Sequence, residues 1–201
     1  MLNLVPALKV KDITILDLVG QDFYYAEFVF FYRLADKLGK MAKISPEEAR
    51  EIGFLSELIY LSSRIHFELK EQYKGESALR KDLQMPVLTG DLLYGRFVAN
   101  ITKLDKLVFL PDYMDYLKEF NAKQIDRLQD KEIEKTAKYF TLLLAETTAN
   151  IIAAVAGKTD SNAATLKQAA DDFLEEEWKL FYEDKITSLT VLEDKMKAER
   201  I

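Results

Sequence analysis

Tyr139-Phe-Thr-Leu-Leu-Leu-Ala-Glu-Thr-Thr-Ala-Asn-Ile-Ile-Ala-Ala-Val-Ala156 is the stretch on which the fold class turns. A run this apolar is either a membrane span or a deeply buried helix. Spanning a bilayer takes about 20 predominantly apolar residues. This run is shorter, and it carries Glu146, Asn150 and three threonines. A carboxylate near the middle of a lone span would be costly. The run is therefore expected to be the most buried helix of a large soluble bundle, closed by Gly157.

The rest of the chain agrees with a bundle. Only seven glycines and four prolines interrupt 201 residues, which favours long helices over a many-stranded sheet. Apolar residues at Phe23, Ala26, Phe30, Leu34 and Leu38 recur at helical spacing, so a helix is expected over Gln21 to Leu38, with Gly39 as its C-cap. Ser45-Pro46-Glu47-Glu48 is a helix start: Ser45 caps, Pro46 takes the first helical position and Glu48 completes a capping box. That helix is expected to reach Gln72, before a loop at Gly75-Glu76-Ser77. Further helices are expected over Gln84 to Lys103, Pro111 to Arg127 and Asn162 to Tyr182, with a short charged helix closing the chain. No segment reads as a strand. No linker or repeat divides residues 1–201, so one all-α domain is expected.

Composition narrows the function. The net charge of −6 argues against a nucleic-acid partner. Zero cysteines exclude disulfides, thiolate chemistry and cysteine-ligated metals. With no cysteine and no basic leader, the expected compartment is cytoplasmic, with at most a peripheral membrane association. His66 is the only histidine, so no multi-histidine metal site can form. The block Phe23-Tyr-Tyr-Ala-Glu-Phe-Val-Phe-Phe-Tyr32 is too aromatic for all its rings to face one core. It is either a large buried surface or part of an interface.

The segment Gln84-Met-Pro-Val-Leu-Thr-Gly-Asp-Leu-Leu-Tyr-Gly-Arg-Phe97 carries a more specific message. Read physically, Gly90 admits a close neighbour and Asp91 places a carboxylate among apolar residues, where it needs a partner. Val87-Leu-Thr-Gly-Asp-Leu-Leu93 also resembles the Val-Leu-Ala-Gly-Asp helix of trans-prenyl diphosphate synthases, with Thr89 in place of alanine. The resemblance is closer to the small, non-catalytic component of heterodimeric heptaprenyl and hexaprenyl diphosphate synthases. There, basic residues, Gln-Leu and this motif precede an aromatic stretch. Arg80-Lys81, Gln84, Gly90-Asp91, Tyr94 and Phe97 follow that order, and Tyr116 to Gln124 resembles the next helix.

This resemblance implies an antiparallel helical bundle of the isoprenoid-synthase type. Catalytic members hold magnesium with two aspartate-rich motifs on facing helices, which neutralise the departing diphosphate. Here His66 stands where a histidine precedes the first motif, but Phe67 and Glu68 replace its aspartates. The second motif would fall at Glu183-Asp184, with Thr187 at its third acidic position. The resemblance therefore implies no catalytic residue, no metal ligand and no cofactor in this chain alone. His66, Glu68, Glu183 and Asp184 become degenerate positions, and Gly90 and Asp91 structural ones. Magnesium is expected in a catalytic partner subunit. The stripe Tyr94, Phe97, Val98 and Ile101, with Arg96 beside it, is the candidate interface, giving a homodimer in isolation and a heterodimer with the partner. Two alternatives stay open. One is a diverged, active magnesium enzyme using Glu68 with Glu183 and Asp184. The other is a helical interaction protein with no isoprenoid role. Asp171-Asp172-x-x-Glu175 also matches a magnesium motif, but as a short acidic run on a terminal helix it reads as a solvated face.

Overall fold

The computed structural model describes residues 30–72, 81–127, 133–157 and 160–182. They form helices α1 (Phe30–Ala42), α2 (Pro46–Gln72), α3 (Lys81–Lys103), α4 (Leu110–Arg127), α5 (Ile133–Val155) and α6 (Asp160–Tyr182), with a 3-10 turn at Leu107–Phe109. No strand occurs among the described residues. The expected residues 21–29 of the first helix, the loop at 75–77, the closing charged helix, Glu183 and Asp184 lie outside them.

Local chemistry explains four of the helix ends. The Ser45 hydroxyl accepts from the Glu48 backbone N–H at 3.1 Å, and the Glu48 carboxylate accepts from the Ser45 backbone N–H at 3.3 Å, so the capping box forms as expected. Gly157 closes α5 with φ 60° and donates its backbone N–H to Ala154. Gly39 differs from expectation: α1 continues past it to Ala42. The terminator is Lys43, at φ 61°, with Ile44 N–H bonded to the Gly39 carbonyl and Lys43 N–H to that of Lys40. This is a Schellman motif with lysine in the left-handed position. Gly39 is kept small by packing, since a Cβ there would lie 2.7 Å from the Ala49 Cβ on α2. Asp105, at φ 55°, ends α3 by the same pair of bonds, from Lys106 to Ile101 and from Asp105 to Thr102.

Helix α2 is the spine. It packs against α1, α3, α4 and α5, while α5 and α6 form a hairpin that α1 also contacts. Every residue from Leu55 to Ile65 is buried. The expectation that Leu142–Val155 forms the most buried helix is therefore corrected. In that stretch Leu142, Leu143, Glu146, Asn150 and Val155 are half-buried and Ala154 is exposed. Apolarity favoured α5, but enclosure on several sides selects α2, whose interior holds Ser56, Glu57, Ser62, Ser63 and Arg64. No described helix is long and apolar enough to cross a membrane.

All six helices contribute to one hydrophobic cluster. Aromatic pairs order it: Phe97 meets Tyr113 edge-on at 5.0 Å, and Phe120 meets Phe140 at 4.5 Å. Phe30 and Phe31, from the aromatic block, are both buried, and Phe30 reaches Phe173 of α6 at 5.3 Å.

Candidate functional site

The positions singled out by the motif meet where α2 crosses α3. Ser62 donates its hydroxyl to the Gly90 carbonyl at 2.9 Å. One turn further along α2, the His66 ring lies flat against Gly90. A Cβ on Gly90 would stand 2.6 Å from His66 Nε2 and 2.9 Å from Cε1, closer than atoms approach. Glycine at 90 thus makes room for the imidazole. The same Nε2 sits 3.4 Å from Asp91 Oδ1. His66 side-chain exposure is 33% and that of Asp91 is 66%, so the pair stands at the rim of the helix crossing, in reach of water. A polar contact this exposed contributes little stability, about 0–1 kcal/mol. It can orient the ring or offer a carboxylate to another chain.

Among the described residues, no group of three or more His, Cys, Asp or Glu could hold an ion. The side chain of Glu68 lies outside the described residues, as do Glu183 and Asp184. The acidic run on α6 is engaged locally: Glu175 pairs with Lys138 at 2.6 Å, and Asp172 accepts from Gln168 at 3.0 Å. Asp171 has its carboxyl pushed up, first by partial burial and then by the Asp172 charge.

No protein-family model, curated protein or solved structure matches this chain. The site must therefore be read from its own geometry.

The interface stripe expected on α3 divides. Phe97 and Ile101 are fully buried inside the bundle, Phe97 against Tyr113, and cannot form an intermolecular surface. That part of the expectation is corrected. The helix is rotated so that its 93/97/101 edge faces α2 and α4. Arg96 is half-buried, and its carbonyl accepts from the Asn100 side chain at 2.8 Å. Tyr94 and Val98 do reach solvent. They are joined there by Val87, Leu88 and Leu92, which the sequence reading left out. Most of the large apolar residues exposed among the described residues lie on α3 or the turn after it; Met41 and Tyr139 are the others.

Sequence reasoning also missed the buried polar groups. Arg33 of α1 grips Glu177 of α6 through two bonds, of 2.5 and 2.9 Å, with both side chains under a tenth exposed. Glu57 accepts from the Phe31 backbone N–H at 3.0 Å. Between α4, α2 and α5, Tyr113, Ser56 and Thr148 form a chain of hydroxyls at 3.1 and 2.9 Å, and Thr148 donates onward to the Leu144 carbonyl at 2.8 Å. Since Thr148 gives its proton to Leu144, Ser56 donates to Thr148 and Tyr113 to Ser56. Burial raises the Tyr113 pKa, as it does for Tyr116 and Tyr32. These partners lie far apart in sequence, and no local pattern announces them.

Proposed function

We propose that this chain is the non-catalytic component of a heterodimeric long-chain polyprenyl diphosphate synthase, a helical bundle of the isoprenoid-synthase type. The observation that supports this reading is the contact of His66 with Gly90 and Asp91. The motif resemblance involves these three positions, and α2 and α3 bring them together. Elongation requires the allylic diphosphate to leave as a polyanion, which needs magnesium held by clustered carboxylates. The described residues offer one carboxylate beside one imidazole. In this reading the partner subunit supplies the aspartates and the metal, and this chain affects product length for a quinone side chain.

The test is prenyl elongation with farnesyl diphosphate, isopentenyl diphosphate and magnesium. The chain alone is expected to make nothing. Co-expressed with a prenyl synthase subunit from the same genome that has complete aspartate motifs, it should co-purify and restore or lengthen the product. Elongation by this chain alone would instead support the diverged enzyme built on Glu68, Glu183 and Asp184. A catalytic subunit whose rate and product are the same with and without this chain would leave the second reading, a helical interaction protein. That reading is favoured by the exposed apolar face of α3, which needs no prenyl chemistry to explain it.

A further inference from the structure

We draw no further inference here: the strongest candidate, the exposed apolar surface of α3 and the turn after it at Leu88, Leu92, Val98, Leu107 and Val108, carries none, because nothing among the described residues shows what covers it.

Discussion

Replacing Glu177 by alanine removes the bidentate carboxylate that holds the Arg33 guanidinium between α1 and α6. Both side chains are nearly out of water, at 6% and 3% exposure. The loss therefore includes the cost of keeping a guanidinium in the core without that carboxylate. Breaking such a buried pair from one side costs about 3–5 kcal/mol. A domain of this size loses about 2–4 °C of melting midpoint per kcal/mol, so Glu177→Ala should melt roughly 6–20 °C below wild type. The double variant Arg33→Met/Glu177→Leu removes both charges and keeps the volume. It should come within about 1 kcal/mol of wild type, since a buried ion pair roughly balances its own desolvation. The Arg33 guanidinium also sits 5.5 Å from the Phe173 ring centroid, a contact that a methionine can partly replace. Urea unfolding followed by circular dichroism, with wild type and both variants at equal protein concentration, measures these differences. Were Glu177→Ala to cost less than about 1 kcal/mol, the pair would be solvated in solution and α1 would not be docked on α6. A double variant as unstable as Glu177→Ala would refute the charge argument and point to shape alone.

Two further outcomes are expected. Gly90→Ala should destabilise the wild type by about 1–2 kcal/mol, because its methyl group meets the His66 ring. In a His66→Ala background the same change should stabilise by up to about 1 kcal/mol through helix propensity, and a double-mutant cycle by urea unfolding that shows no such change of sign would separate His66 from Gly90. Tyr32, Tyr113 and Tyr116 each have a pKa raised above 10.0, mainly by burial. The folded state holds these phenols protonated while the unfolded chain releases their protons, so their contribution is fully present below pH 10 and falls as pH rises further, by about 1.4 kcal/mol per pH unit for each. Tyr113→Phe should make that alkaline fall shallower in urea titrations between about pH 8 and pH 11; an unchanged slope would mean that Tyr113 ionises freely in the folded protein.

Class and punctuation were legible in the sequence because they depend on near neighbours. The Ser45–Glu48 box, Pro46 at the helix start and Gly157 at the end of α5 are each settled within a turn of chain. The closeness of Gly90 to a neighbouring helix was also legible, because a glycine inside an apolar helix has few other uses. That His66 is the neighbour came only with the tertiary structure. Lys43 and Asp105 as helix terminators were not legible, since neither residue type marks a left-handed turn as glycine does.

What the chain determined by itself is its helices and their approximate limits, set by periodicity of the apolar residues and by hydrogen bonds between residues three or four apart. Which helix lies at the centre was decided by packing. Apolarity pointed to α5, but α2 is enclosed because α1, α3, α4 and α5 all lean on it and its buried Ser56 and Ser62 find partners there. The rotation of α3 was decided in the same way: Phe97 and Ile101 are drawn inward and Leu88, Leu92 and Val98 left outside. A stripe of apolar residues on a helix does not say which of its edges meets the core. Only the neighbouring helices fix that rotation, and with it the surface left for a partner.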